Sequence, residues 1–124
     1  MVTSGTRAVA QGRLAAAQLP HPMHLGAADD IQRGKPNPEG YLTAAQLLGA
    51  TPAQCVVVED APAGVHAAHA AGMRCIGVGG ALADVDALLS AHVDDLRRVH
   101  AESDLDGLHL SFTFAAKTGQ KARP

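Results

Sequence analysis

The stretch Cys55-Val56-Val57-Val58-Glu59-Asp60-Ala61-Pro62 decides how the chain is read. Four apolar residues in a row, without alternation, predict a strand covered by helices on both faces. Two carboxylates follow at once, and Pro62 suits the opening of a helix. That helix is alanine-rich, and Gly72 closes it in the usual C-terminal role. Cys75-Ile76-Gly77-Val78 is a second apolar strand, broken by Gly79-Gly80. Upstream, a helix is predicted from Pro38 to Leu48, with Asn37 as N-cap, Pro38 in its first position and Glu39 against the positive dipole end. Gly49 ends it, and Thr51-Pro52-Ala53-Gln54 is a short capped turn into the first strand. Strand and helix alternate with short connections, which predicts a parallel α/β sheet.

The flanks are weaker. Met1 to Thr6 holds a scrap of apolar strand and a small-residue turn, followed by a predicted helix from about Thr6 to Leu19 that Pro20 and Pro22 end. Met23 to Ala28 reads as a short strand. Beyond Gly80, a short helix is expected from Asp84 to Leu89, with Asp84 as a capping acid, then a weak strand or turn at His92 to Asp95. Leu108 to Phe114 alternates apolar and polar residues, as a strand with one wet face does. Asp104-Leu105-Asp106-Gly107 before it is a hairpin turn, with Gly107 supplying the special backbone angles. Residues 1–114 are expected to form one domain and residues 115–124 a frayed tail.

The chain has 124 residues, enough for one core. Aromatics are only 2%, so Ala, Val and Leu must fill that core. A formal charge of −2 with few lysines gives no basic stripe and argues against a nucleic-acid partner. No apolar run is long enough to span a bilayer, and the N-terminus lacks the regions of a signal peptide. Cys55 and Cys75 lack metal or redox spacing and read as buried reduced thiols. A soluble cytoplasmic protein is the expectation.

Chemistry concentrates at two places. Lys35 lies between Gly34 and Pro36 on a loop that runs into a helix mouth, where a fixed cation neutralises an anion. Glu59 and Asp60 close an apolar strand, where paired acids bind a divalent metal. Together they suggest a phosphate-and-metal site. His66 and His69 lie three apart on a helix without a third ligand and read as a solvated face. Gly77 to Gly80 lacks the spacing of a dinucleotide fingerprint and reads as a loop.

These residues together resemble the haloacid dehalogenase (HAD) superfamily of phosphatases, most closely its sugar- and glycerol-phosphatase or β-phosphoglucomutase-like branch. Val2-Thr3-Ser4-Gly5-Thr6-Arg7 is similar to the family's second motif, Arg33 to Tyr41 to its third, and Val58 to Gly64 to its acidic fourth, in the family's order. The resemblance implies a Rossmann-like parallel core and Mg²⁺-dependent hydrolysis of small phosphomonoesters such as sugar or glycerol phosphates. It implies that the Thr3 hydroxyl and the Ser4 N–H bind the phosphoryl oxygens and that Lys35 neutralises them and serves catalysis. It implies that Asp60 binds Mg²⁺, with Glu59 a second ligand or a holder of its waters. Phosphoryl transfer needs mostly positioning and charge neutralisation, which agrees.

The family's nucleophile is the first aspartate of an Asp-x-Asp motif ending a strand that precedes all of these, and a cap domain usually follows. The resemblance covers Val2 to Val78 and begins at the second motif. An incomplete core is therefore expected, without the nucleophile strand and cap, and with no appreciable turnover by this chain alone. Asp104-Leu105-Asp106 has the letters of the missing motif but follows a segment too polar for a buried strand. The strands ending at Thr3 and Asp60 would face a gap with unpaired edges, which invites self-association. Two other readings stay open: a non-catalytic phosphate-binding or interaction remnant, and the product of a truncated gene whose upstream DNA encodes the Asp-x-Asp strand.

Overall fold

A computed structural model describes residues 1–114 of the chain; the expected tail at 115–124 lies outside the described residues. Among the described residues three α-helices are formed: α1 (Arg7–Ala16), α2 (Glu39–Leu47) and α3 (Pro62–Ala70). The strands are β1 (Val56–Glu59), β2 (Arg74–Val78), β3 (Ala91–Val93), β4 (Val99–Asp104) and β5 (Gly107–Phe112). β1, β2 and β3 make a parallel sheet in that order, with Val58 opposite Ile76 and Ile76 opposite Ala91. β4 and β5 form a separate antiparallel hairpin.

Local chemistry explains the boundaries. Thr6 caps α1, its hydroxyl accepting from the Val9 N–H at 3.3 Å. Asn37 Oδ1 accepts from the Glu39 N–H at 3.0 Å, so α2 is held from one residue before its Pro38 cap. Gly49 and Gly72 end α2 and α3 in the left-handed region, at φ 65° and 74°, where any other residue would be strained. Thr51 N–H and Gln54 Oε1 close the turn before β1 at 3.0 Å. Asp104 Oδ1 accepts from the N–H of Asp106 and Gly107 and fixes the hairpin turn.

The core lies on one face of the sheet. Val57 and Cys75 point there and meet Val65, Ala67 and Ala68 of α3, Tyr41 and Ala45 of α2, and Leu82 and Val85 of the 3-10 segment Ala83–Leu88. Gly77 belongs to this packing, since a Cβ there would lie 2.5 Å from Leu89 and 2.7 Å from Leu82.

Four expectations need correction. β1 is not a strand covered on both faces: among the described residues it pairs with β2 alone, and Val58 on its second face is 45% exposed. Cys55 lies just before β1 and is half-buried, whereas Cys75 is buried as expected. The segment Met23 to Ala28 forms only a single parallel bridge, Gly26 to Val2, and Met23 is 91% exposed. Its partner there is a short run, with Gly26 N–H on the Met1 carbonyl and Thr3 N–H on the Gly26 carbonyl, both at 2.9 Å. Asp84 caps nothing by its side chain; the cap position before that 3-10 segment is Leu82, and Asp86 is the acid that finds a partner, His92.

Candidate functional site

The bridge at Val2 and the strand β1 both run toward one end of the molecule. Thr3, Ser4, Lys35, Glu59, Asp60 and Gly64 all line a single cleft there, of about 320 Å³. Every residue predicted for the site is at this cleft, although Thr3 and Glu59 lie more than fifty positions apart in sequence.

Each is held by backbone geometry. The Thr3 hydroxyl accepts from the Gly5 N–H at 3.2 Å, and the Gly5 carbonyl accepts from the Ala28 N–H at 2.9 Å. Arg7 locks that turn from behind. Its N–H donates to Asp29 Oδ1 at 2.8 Å, and its guanidinium donates to the Leu25 carbonyl and to Asp30 Oδ2 at 2.8 and 2.5 Å. The loop carrying Lys35 is folded by Glu39, whose carboxylate reaches back to the N–H groups of Gln32 and Arg33 at 3.2 and 2.7 Å. Those two bonds hold the Glu39 carboxyl below the usual range. The sequence reading gave Glu39 only a dipole role; the loop it shapes runs from Gln32 to Glu39 itself.

Lys35 and Glu59 form the most buried ion pair among the described residues, Nζ to Oε1 2.5 Å, with side chains 13% and 8% exposed. The same ammonium donates to the Val2 carbonyl at 3.4 Å and sits 5.0 Å above the centre of the Tyr41 ring. The Tyr41 hydroxyl donates to Glu59 Oε1. The other carboxylate oxygen accepts from the N–H groups of Asp60 and Ala61 at 3.2 and 3.4 Å. Burial alone would raise the Glu59 carboxyl; the hydrogen bonds from Lys35 and Tyr41, the Lys35 charge and the Ala61 N–H outweigh it and hold it below the ordinary glutamate value. Burial, and then the Glu59 carboxylate, push the Tyr41 hydroxyl far up, so it stays protonated as a donor.

Gly64 makes room for this arrangement. A Cβ on it would fall 2.0 Å from the Glu59 carboxylate carbon, so the acid packs directly on the first turn of α3. Tyr41 and Gly64 are the working residues that sequence reasoning missed. Both close motifs quoted from the sequence, but neither was given a role there; the physical signal for Gly64 is a glycine one turn into a helix, at a position that costs helix stability.

The carboxylates therefore divide. Glu59 has its lone pairs engaged by four donors, whereas Asp60 is exposed at the cleft. Among the described residues, no group of three or more His, Cys, Asp or Glu side chains is placed to hold a metal. Asp60 fits Mg²⁺ as a single carboxylate, because that ion commonly keeps several waters and takes one or two carboxylates beside a phosphate. Glu59, as it stands here, is committed to Lys35. Asp104 and Asp106 lie in the hairpin turn, not at this cleft. His66 and His69 are exposed on α3.

The fold and site define a parallel α/β protein with a loop cation and two acids gathered at one cleft. The comparisons narrow it. A family model described as haloacid dehalogenase-like hydrolase matches residues 1–72, and the chain belongs to that family. It is 53% identical over 78 residues to hexitol phosphatase A of Escherichia coli K12, a match covering 63% of this chain and 36% of that protein. It is 47% identical over 97 residues to validoxylamine A 7'-phosphate phosphatase of Streptomyces hygroscopicus subsp. limoneus, covering 72% and 45%. A HAD family hydrolase from Deinococcus radiodurans, solved with bound phosphate and sodium, superposes with a TM-score of 0.69 at 29% identity, over 73% of this chain and 44% of that one. The chain thus spans less than half the length of these relatives.

Proposed function

We propose that the cleft is the phosphate-handling side of a HAD-type phosphatase that hydrolyses small phosphomonoesters of the sugar- or glycerol-phosphate kind. The observation that carries this reading is the convergence of Thr3, Ser4, Lys35 and Asp60 on one cleft, in a chain whose relatives include named sugar-phosphate phosphatases. In this reading the Thr3 hydroxyl and Ser4 N–H bind the phosphoryl oxygens, and Lys35 neutralises their charge. Asp60 would hold Mg²⁺, which when bound withdraws negative charge from the transferring phosphoryl group. Two unpaired cysteines suit a cytoplasmic enzyme.

The carboxylates lining the cleft are Glu59 and Asp60, one engaged by Lys35 and the other reserved for the metal. Neither is free to attack phosphorus, so we expect no appreciable turnover by these 124 residues alone. That same observation supports a second reading, a phosphate-binding unit without catalysis. Calorimetry with inorganic phosphate, with and without Mg²⁺, tests the shared premise: wild type binds and Lys35→Ala does not. Absence of binding in both sinks the phosphate reading, and hydrolysis of p-nitrophenyl phosphate that depends on Lys35 sinks the expectation of inactivity. The open edge of β1 also supports self-association, which sedimentation across a concentration series would detect.

A further inference from the structure

Lys35 reaches the cleft on a long, flexible side chain, and its fixed position has to come from its neighbours. Holding such a side chain still costs rotamer entropy. Glu59 supplies one anchor at 2.5 Å and the Val2 carbonyl a weaker one at 3.4 Å. Glu59 has rotamers of its own, and what fixes them is Gly64 on one side and Tyr41 on the other. Tyr41 is 8% exposed, sits in the first turn of α2 and is packed in the core cluster, so its ring is held by its neighbours. From that platform it contacts both members of the ion pair, the acid through its hydroxyl and the ammonium through its ring face. A ring centre 5.0 Å from a charged nitrogen is within the range of cation–π attraction.

We propose that Tyr41 is a positioning residue for the anion site, fixing Lys35 through its hydroxyl bond to Glu59. The proposal rests on the phosphate reading above for the ligand, but not for the geometry. Phenylalanine at this position keeps the ring and its cation–π contact while removing the one side-chain bond, besides that of Lys35 itself, that holds Oε1; the Asp60 and Ala61 N–H groups hold only the other oxygen, at 3.2 and 3.4 Å. With that bond gone, Glu59 gains freedom and the ammonium moves with it. The cleft then presents a cation whose location is averaged over several positions.

The test uses the 124-residue chain and Tyr41→Phe, with two readouts. NMR of the Lys35 ε-methylene reports fixation without any ligand: a held side chain gives two distinct proton shifts beside an aromatic ring, and a mobile one gives a single averaged shift. Backbone amide shifts of α2 and β1 show that the variant is folded. Wild type is expected to show the split pair, and Tyr41→Phe the averaged signal. Inorganic phosphate should bind about fivefold more weakly to the variant, a part of the roughly tenfold or more that a hydrogen bond to a charged group is worth. Unchanged splitting overturns the proposal whatever the affinity does, and unchanged affinity with lost splitting overturns it too. Wild type that binds no phosphate refutes the phosphate reading and leaves the Lys35 signal to decide the role of Tyr41. Should Tyr41→Phe fail to fold, Glu59→Gln is the substitute, because a neutral amide of the same shape should also release Lys35; a retained split there overturns the proposal.

Discussion

Of the acids held by a cation in this molecule, Asp95 and Glu59 make opposite cases. Asp95 takes Arg97 in a two-point clasp, Nε to Oδ1 2.9 Å and Nη2 to Oδ2 2.7 Å, with the Arg97 N–H added at 2.8 Å. Its geometry is better than that of Glu59, yet the Arg97 side chain is 90% exposed and water competes for every contact. Glu59 meets Lys35 at a single point, but with side chains only 13% and 8% exposed at the wall of the cleft, where an unpaired partner would be poorly hydrated. Exposed pairs of good geometry commonly contribute little, while breaking a buried pair leaves a stranded charge. Burial, not geometry, decides which pair the fold depends on.

Substitutions can break that comparison, beginning where the effect is largest. Gly64→Val puts a branched side chain where the Glu59 carboxylate lies and expels it from all four donors. The expected loss is about 4 kcal/mol in urea unfolding, within the range for severing buried pairs. Lys35→Met leaves Glu59 buried with only Tyr41 and two backbone donors, and should cost about 3 kcal/mol on the same measurement. A loss under about 1 kcal/mol, the range typical of exposed pairs, would move this pair to the surface class.

His92 lies between the extremes. Its ring contacts the Gly79 carbonyl at 2.5 Å and Asp86 Oδ1 at 3.1 Å, and those acceptors, the Gly79 carbonyl foremost, raise its pKa above 6.5. A group whose folded pKa is raised stabilises fully below its unfolded value. Stability should therefore decline modestly as pH rises from about 6.5 through the higher folded value, and His92→Gln should flatten that slope in a series of urea midpoints. Asp95→Ala closes the series: despite its two-point clasp, it should leave the unfolding midpoint unchanged within error.

Much of this frame was legible in the sequence, because its signals are local. The valine run of β1, the glycines at 49 and 72 and the Asp104–Gly107 turn each act over a few residues, and each stands where the pattern placed it. Lys35, Glu59 and Asp60 were legible as chemical groups for the same reason. What could not be read was their division of labour. Glu59 is an anchor because Tyr41, 18 residues upstream, and Lys35, 24 upstream, converge on one of its oxygens. The strand predicted at Met23 to Ala28 also depended on distant partners, and it shrank to a bridge because only the short run at Met1 to Thr3 lies beside it.

The reach of the Lys35 ammonium from Glu59 to the Val2 carbonyl has a mechanical side. Among the described residues, no ladder bond joins the Val2 bridge to β1, so this nitrogen acts as a rivet between two plates of the molecule. Were an anion in the cleft to draw the ammonium off the Val2 carbonyl, the packing of Val2 against the core would be left to hold that plate. Amide exchange at Gly26 and Thr3, whose N–H groups form its ladder, is where the change would be felt.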